Sequence, residues 1–457
     1  MSTVRSRSLL PGLVALGVLG IGPALPACRQ LNPEFCASHP QDIDCAGRSG
    51  AGNDAGLCTQ DEQCTDPTPV CDITRSMCVP CMPGKMGACS GATPVCGADE
   101  ACHACAMDAE CASQTCLPDG SCASPLDVLY VSPTGSDLAT CMPDDHCSLA
   151  RALALIDGTK STIRLDPAHY NLLATIVLPH DLHLVGRGAI LDRNAAGSGD
   201  VLDIPAGTHI MLDYVTVVGG DGASGHGISC TGATLTLREV TIQGNGGCAI
   251  ISSACQLVVS HSQLLNNQDT GIAATTSDVT LVRSLVLGNA NFGLDLASST
   301  FDVENNVIAK NGGPNGLGGV FVGALHGGTV GRRVFAFNTV TQNQGQFGSV
   351  SGVVCDQSIV VALAMTSNIV VNNAGPAQVS GGTCAWTYSD ITPGPVSGTG
   401  NLSSDPLFVD PAHNNFHLQL ASPARDAADP AATLAVDLDG DARPQGAGRD
   451  MGADEIK

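Results

Sequence analysis

Aromatic side chains are scarce in this chain of 457 residues, which contains 3% Phe, Trp and Tyr in total and a single Trp. Stacking platforms of the kind that bind neutral sugars or single-stranded nucleic acid are therefore few. Basic side chains are scarce too, because 20 Lys and Arg oppose 43 Asp and Glu and give a net charge of −23. Such a surface repels nucleic acid and anionic lipid head groups, and it disfavours a polyuronate unless calcium or a basic groove offsets the field. We expect no nucleic-acid partner.

No apolar run beyond the first 27 residues approaches the roughly 20 residues that a membrane-spanning helix needs. Residues 1–27 carry Arg5 and Arg7 and then a Gly- and Pro-interrupted apolar run, which predicts a signal peptide. The sequence Leu-Pro-Ala-Cys ending at Cys28 resembles a bacterial lipobox, although Pro26 is atypical there. We predict a lipidated Cys28 that anchors the protein to a membrane of the bacterial cell envelope, the outer membrane or the cell surface. The alternative is an ordinary signal peptide followed by a cysteine that pairs.

Cysteine is abundant, with 22 residues, and in an exported chain most of them should form disulfides. Residues 28–57 lack periodicity, so this stretch predicts a flexible tether behind the lipidated N-terminus. Residues 58–125 contain three Cys-rich units, which begin at Cys58, Cys81 and Cys105. Because few apolar side chains lie there, covalent links should replace a hydrophobic core.

Zinc is the alternative use of these cysteines, because Cys78 with Cys81 and Cys102 with Cys105 have zinc-knuckle spacing. Export and the even spread of the cysteines favour disulfides. The pattern of the units resembles the Cys-rich repeats in secreted proteins of myxobacteria and their relatives, which implies no specific activity.

A short helix is predicted at the start of the next region. Leu149, Ala152, Leu153 and Ile156 form one apolar face, and Ser148 is the expected N-cap. Such a helix can cover the exposed first coil of a solenoid. The two cysteines just before it are expected to pair, and these are Cys141 and Cys147.

A repeat of 22 residues dominates the middle of the chain. Asparagines mark it, at Asn245, Asn267, Asn289 and Asn311, and Asn343 and Asn373 follow in matching contexts after insertions. Apolar stripes with the same step precede each asparagine, as in Leu235, Leu257, Val279 and Phe301. Three short strands per repeat, stacked on copies of themselves, predict a parallel β-helix over residues 126–400. The asparagines are expected to be turn residues that stack as an amide ladder.

The insertions fall between Gly313 and Gly328 and between Gln344 and Cys355, where loops on one rim could carry binding. Residues 401–457 lose the period and become rich in Pro and Asp, which predicts a C-terminal capping segment.

The motifs LYVSPTGSD, DPLFVDP, HLQLASPARDA, DLDGDARP and DMGADE resemble those of bacterial right-handed β-helix repeat proteins of the pectate-lyase-like superfamily. The resemblance covers roughly residues 127–457. It implies an all-β, right-handed parallel β-helix, whereas the group includes lyases, hydrolases and members without known activity.

One row of corner residues offers candidate chemistry. It comprises Tyr214, Glu239, His261, Arg283 and Asn305. Stacked coils place such residues about 4.8 Å apart, so Glu239 and Arg283 should flank His261 and could supply acid–base catalysis. Asp213 and Arg238 lie one position earlier and are candidate binding residues with Tyr214. The alternative is a surface ladder of weak ion pairs.

Two further motifs resemble functional ones. Gly225-His226-Gly227 resembles a motif of polygalacturonases, but the clustered aspartates and the later basic element of those enzymes are missing, so His226 also fits an ordinary turn. Asp437, Asp439 and Asp441 resemble the start of a calcium loop, although Gly448 stands where a bidentate glutamate belongs. A capping turn is the alternative for these aspartates.

Cys230 aligns with an inward row and is the predicted unpaired thiol, while Cys248 could bridge to Cys255 and Cys355 to Cys384. No Ser/His/Asp order, phosphate loop or metal-binding His/Glu pair stands out elsewhere. We predict a cell-envelope lipoprotein whose β-helix binds a glycan or another surface component without catalysis and without a required cofactor, calcium being possible. The alternative is a polysaccharide lyase or glycoside hydrolase that uses Glu239, His261 and Arg283 in a lateral groove.

Overall fold

The computed structural model describes residues 58–85, 88–157, 159–194, 197–314, 316–325, 332–345, 350–359, 362–394 and 396–457. The predicted signal peptide, Cys28 and the tether lie outside the described residues. The described residues divide into two compact units, one that ends at Pro80 and one from Cys81 to Lys457. No helix within these residues has the length and hydropathy to cross a membrane.

Each Cys-rich unit is held by two crossing disulfides that join its first cysteine to its third and its second to its fourth. The bridges are Cys58–Cys71 and Cys64–Cys78, Cys81–Cys96 and Cys89–Cys102, and Cys105–Cys116 and Cys111–Cys122. Short elements accompany them, namely the strand pairs Val70–Asp72 with Met77–Val79 and Val95–Cys96 with Cys102–His103, and the 3-10 turns Asp61–Gln63 and Asp108–Glu110. The disulfide interpretation is confirmed, and a paired cysteine has no thiolate to offer zinc.

From Val128 onwards the chain winds into a solenoid with three parallel sheets, here called sheets A, B and C in the order in which each coil visits them. Sheet A contains Ile176–Val177, Leu202–Ile204, Ile228–Thr231, Ile250–Ser253, Ile272–Thr275, Phe292–Ala297, Gly318–Val322, Val353–Cys355 and Val379–Ser380. Sheet B contains Val128–Ser136, Thr162–Leu165, Leu182–Val185, His209–Asp213, Thr234–Arg238, Gln256–Ser260, Asp278–Val282, Thr300–Glu304, Arg333–Ala336, Leu363–Thr366 and Cys384–Thr387. Sheet C contains His169–Asn171, Ile190–Asp192, Thr216–Val218, Thr241–Gln243, Gln263–Leu265, Leu285–Leu287, Val307–Ala309, Thr339–Thr341, Ile369–Val371 and Asp390–Thr392.

The predicted stripes form the core of this solenoid. Leu235 pairs in register with Leu257, Leu257 with Val279, and Val279 with Phe301, and their side chains are at most 1% exposed. The predicted helix spans Leu149–Leu155, and the Ser148 hydroxyl accepts a hydrogen bond from the Arg151 backbone N–H. The predicted parallel β-helix with a short N-terminal helix is therefore confirmed.

The asparagine ladder runs through the corner between sheets C and A. The ladder begins at Asn245, whose Oδ1 accepts a hydrogen bond from the Gly220 backbone N–H. The Oδ1 of each later member accepts hydrogen bonds from the backbone N–H and the Nδ2 of the asparagine one coil earlier, and these members are Asn267, Asn289, Asn311, Asn343 and Asn373. Its last member bonds to Gln378. All of these amides are buried, so the ladder satisfies polar groups that the corner removes from water.

A second ladder, which the sequence reasoning missed, runs through the corner between sheets B and C. Its members are Ser262, Ser284, Asn306, Asn338, Asn368 and Ser389, each of which accepts a hydrogen bond from the backbone one coil earlier. Ser277 and Ser299 do the same at the remaining corner. The sequence signal for this ladder was one position of the repeat that contains Ser in some coils and Asn in others. The residue type changes from coil to coil, but either side chain can accept the same backbone hydrogen bond.

The C-terminal segment packs on the outer face of sheet C. Phe408, Phe416, Leu418 and Met451 bury against strand residues such as Ile369. The segment contains a strand pair, Phe408–Asp410 with Asn415–Leu418, and the 3-10 turn Pro411–His413. The outer face of sheet C is therefore covered in the coils near Ile369, whereas the core lies within the coils.

The disulfides inside the β-helix correct part of the sequence-based interpretation. Cys141–Cys147 and Cys355–Cys384 pair as predicted. Cys230, predicted to be free, instead pairs with Cys255, and the free cysteine among the described residues is the buried Cys248. The prediction was wrong because it joined Cys255 to a cysteine of its own coil. The actual bridge links neighbouring coils, where the corner at Cys255 lies against the inward row of Cys230.

Candidate functional site

The predicted catalytic residues lie in one row at the corner between sheets B and C. Tyr214, Glu239, His261, Arg283 and Asn305 all have left-handed backbone conformations, with φ between 51° and 63°. This conformation is costly for most residues other than glycine. After His261, Arg283 and Asn305 the next residue is a member of the second ladder, namely Ser262, Ser284 or Asn306. We call these five residues the corner row.

The corner row brings Glu239, His261 and Arg283 together in space without joining them into a catalytic group. Partial burial and the positive charge of Arg283 lower the pKa of His261, and Glu239 opposes this shift. No hydrogen bond or ion pair links the three side chains in the described part of the chain. Arg283 instead donates its Nε–H to the carbonyl oxygen of Leu438 at 3.1 Å, and is therefore committed to the C-terminal segment.

The N-terminal end of the corner row faces the third Cys-rich unit. A pocket of about 410 Å³ lies between Asp119 of that unit and Glu239, Tyr214 and Arg187 of the β-helix. The guanidinium of Arg187 stacks on the Tyr214 ring, 3.6 Å from its centroid, so the ring face that a ligand could use is already occupied.

Asp213 and Arg238 form a buried ionic contact. The Asp213 side chain is fully buried and accepts hydrogen bonds from Arg238 Nε at 2.9 Å and from Nη2 at 2.8 Å. His183 contacts the same carboxylate from the coil on the other side. Every strong partner of Asp213 is thus internal, and the carboxylate links three successive coils of sheet B.

His226 occupies the turn before sheet A, where its Nδ1 accepts a hydrogen bond from the Cys248 backbone N–H at 2.9 Å. The backbone N–H of His226 donates a hydrogen bond to the Asp200 carboxylate. Burial raises the pKa of the neighbouring Cys248 thiol to about 12, and the Asp269 carboxylate adds to this shift. This thiol is therefore uncharged at neutral pH.

The three aspartates that resemble a calcium loop serve different partners. Asp437 Oδ1 accepts hydrogen bonds from the backbone N–H groups of Asp439, Gly440 and Asp441, so it closes the turn. Asp441 pairs with Lys457 at 2.9 Å, and Asp439 lies near His417.

His417 also contacts Asp454 at 2.8 Å, and this hydrogen bond raises the pKa of His417. That charge-assisted hydrogen bond joins His417 to Asp454, while Asp439 lies 3.6 Å from the same nitrogen.

A different site, which the sequence reasoning missed, lies on the outer face of sheet A. It is an open pocket of about 540 Å³ that we call the aromatic pocket, and it is lined by Phe292, Asp295, Leu317, Phe321, Val350, Val354 and Ser380. The ring centroids of Phe292 and Phe321 are 6.0 Å apart, and the rings are tilted by 39°. Leu317 and Val350 come from the two insertions. The loops that lengthen the repeat therefore build one wall of the pocket.

Asp295 is the acidic group of the aromatic pocket. Its Oδ1 is buried and has no hydrogen-bond partner among the described residues. Burial raises the pKa of this carboxyl above its ordinary value, and the nearby Asp269 carboxylate raises it further. An apolar pocket with one unsatisfied polar group at its base is the usual form of a small-ligand site.

The sequence could not reveal the pairing of Phe292 with Phe321 because the spacing of the repeat is no longer 22 residues in this part of the chain. Phe321 lies beside Asp295 in the neighbouring coil, 26 positions later rather than 22. The available signal was Phe292, the one aromatic residue in the row that also contains His226, Cys248 and Thr270.

The match to one protein-family model supports the fold. Residues 205–331 match the family model of the right-handed β-helix region. The β-helix is right-handed. The structure is similar to that of the pectate lyase Pel9A, with a TM-score of 0.48 and 15% sequence identity over 72% of this chain and 96% of that chain. This likeness concerns the fold and says nothing about activity. No curated protein sequence matches the chain. The many disulfides indicate an extracytoplasmic protein.

Proposed function

We propose that the protein is a lipoprotein of the bacterial cell envelope, anchored through Cys28, whose β-helix binds a glycan in the aromatic pocket without catalysing a reaction. The observation that carries this proposal is the pairing of Phe292 and Phe321 around Asp295 on an open sheet face. Two of the nine phenylalanines of an aromatic-poor chain meet outside the core clusters.

A pyranose suits such a pocket because it has an apolar ring face and polar hydroxyl edges. The phenylalanine rings can pack against the ring face, and the Asp295 carboxylate, which lines the pocket, can accept a hydrogen bond from the edge. Leu317 and Val354 add further apolar surface to the lining of the pocket. Binding of this kind requires no cofactor, so neither EDTA nor added calcium should change it.

The alternative function, a lyase or hydrolase that uses Glu239, His261 and Arg283, has less support. Arg283 is held by the Leu438 carbonyl, and the pocket beside the corner row is lined by the charged side chains of Arg187, Glu239 and Asp119. General acid–base catalysis needs groups within hydrogen-bond reach of one another or of a common substrate atom.

Binding and turnover can be separated in one experiment. The exported protein is titrated by calorimetry with a panel of neutral, cationic and acidic oligosaccharides, and the same mixtures are followed by ultraviolet absorbance for elimination and by reducing ends for hydrolysis. We expect at least one glycan to bind without turnover, and we expect Phe321→Ala to weaken it by about tenfold or more. Turnover that disappears in His261→Ala with the fold intact would establish the alternative.

The anchor has its own test. Cells that produce the protein are labelled with a fatty acid, and label should enter the wild-type chain but not Cys28→Ala. Equal labelling of the two chains would contradict the lipid anchor and leave glycan binding untouched.

A further inference from the structure

The electrostatics of the aromatic pocket restrict which glycan it takes. Asp295 points outward from sheet A with one buried, unpaired carboxylate oxygen. The charge that acts on it among the described residues is that of Asp269, which has the same sign. Asp269 is itself held by Thr270 and Asn291, both uncharged. The base of the pocket therefore carries negative charge that no described cation neutralises.

A bound ammonium group would remove this imbalance. It would pair with the Asp295 carboxylate, which lines the pocket, in a charge-assisted hydrogen bond, which is stronger than a bond between neutral groups. Phe292 and Phe321 offer ring faces that attract a cation, an attraction that increases when the site is shielded from water. The net charge of −23 draws cationic ligands towards the protein over a longer range.

Other glycan classes fit less well. A uronic acid would place a third carboxylate beside Asp295 and Asp269. A neutral or N-acetylated sugar could donate a hydrogen bond to Asp295 but would leave its charge uncompensated in a partly desolvated site. The chemistry of the pocket thus favours a sugar with a free amine.

We propose that the aromatic pocket selects glycans built from cationic amino sugars, with the ammonium group paired to Asp295 and the sugar ring packed against Phe292 and Phe321. This inference rests on the proposed function, because it specifies the ligand of the same pocket.

The test compares oligomers of glucosamine with N-acetylglucosamine oligomers of the same length, by calorimetry at mildly acidic pH with the full exported protein. Wild type should bind the glucosamine oligomer about tenfold or more tightly than its N-acetylated counterpart, the factor that one charge-assisted hydrogen bond supplies. Asp295→Asn should abolish this preference. Its thermal unfolding temperature should be no lower than that of wild type, because the substitution removes a partly buried, unpaired charge.

Asp203→Asn is the matched control, since Asp203 occupies the same outward column of sheet A several coils away. It should keep the full preference. A preference that falls equally in both variants would indicate a general acidic field and would overturn the pairing with Asp295. Equal affinity of wild type for the two oligomers would overturn the amino-sugar inference while glycan binding stands. Binding of no member of the whole panel would contradict the proposed function as well.

Discussion

The corner row and the outer face of sheet A differ in two respects. The rest of the chain covers the corner row more completely, and it provides hydrogen-bond partners for the polar groups there. At the corner row, Arg283 and Asn305 donate hydrogen bonds to carbonyls of the C-terminal segment, and Tyr214 carries the guanidinium of Arg187. On sheet A, Phe292 and Phe321 face an open pocket, and Asp295 keeps an unpaired oxygen. Regular columns of polar residues here belong to the scaffold, and the interrupted coils carry the features of a binding site.

The C-terminal motifs illustrate the same difference. Arg443 of DLDGDARP is buried, pairs with Glu455 of DMGADE at 3.1 Å, and also contacts Asn305 and Phe337 of the solenoid. The motifs by which the chain resembles the β-helix repeat proteins therefore fasten its C-terminal segment to the corner. They provide stability, which explains why they predict fold better than function.

The largest expected effect comes from breaking that fastening. Arg443→Ala would leave Glu455 buried without its partner, and we expect the free energy of unfolding to fall by about 3–5 kcal/mol. Denaturant unfolding followed by circular dichroism measures this. Arg425→Ala, an exposed arginine of the same segment, should change it by less than about 0.5 kcal/mol. A loss below about 1 kcal/mol for Arg443→Ala would mean that the corner is not held by this contact.

Interrupting the asparagine ladder should have the next largest effect. Asn267→Leu removes the acceptor for the Asn245 backbone N–H and side chain, and we expect a loss of about 1–3 kcal/mol. The same unfolding assay measures it, with the exposed neighbour Gln268→Leu as control. Ligand affinity of the folded variant should not change. A stable Asn267→Leu protein with weakened binding would reverse the assignment of scaffold and site.

The buried carboxyl of Asp450 predicts a pH dependence of stability. Burial raises its folded-state pKa to about 6 from an ordinary value of 3.8. Between these values the folded state keeps a proton that the unfolded state has released, so stability should fall as the pH rises through this window, by at most about 1.4 kcal/mol per pH unit. Asp450→Asn should flatten this part of the profile, and Asp405→Asn, at an exposed carboxylate, should not. Equal slopes in Asp450→Asn and wild type would contradict the assignment.

The smallest expected effect is that of a change at His261, the central residue of the corner row. His261→Ala should change the free energy of unfolding by less than about 0.5 kcal/mol and leave glycan affinity unchanged, because the imidazole has no hydrogen-bond partner in the described chain. Calorimetry of the variant with the best ligand checks this. A large loss of affinity would move the site to the corner row.

The sequence predicted the scaffold well because each inward residue stacks on the equivalent residue of the next coil. A single period therefore determines both the register of the strands and the residues of the core. Leu235 and its successors, the Ser148 cap and the asparagine ladder all follow from local spacing. The aromatic pocket could not be predicted in this way. The pocket depends on how the insertions bring Leu317, Phe321 and Val350 close to Asp295. Once an insertion changes the length of a coil, the 22-residue period no longer shows which residues become neighbours.

The same limit explains the misassigned disulfide. Cys230 and Cys255 meet across two coils at a corner, and spacing within one coil does not reveal such a contact. When two residues pair between coils but occupy different positions of the repeat, their contact can be recognised only from the three-dimensional path of the turn.

The most direct test of the account compares Phe321→Ala with His261→Ala in calorimetric titrations against the best-binding glycan of the panel. The account predicts that Phe321→Ala loses about tenfold or more in affinity while His261→Ala retains that of wild type. Loss of binding in His261→Ala with full binding in Phe321→Ala would contradict it.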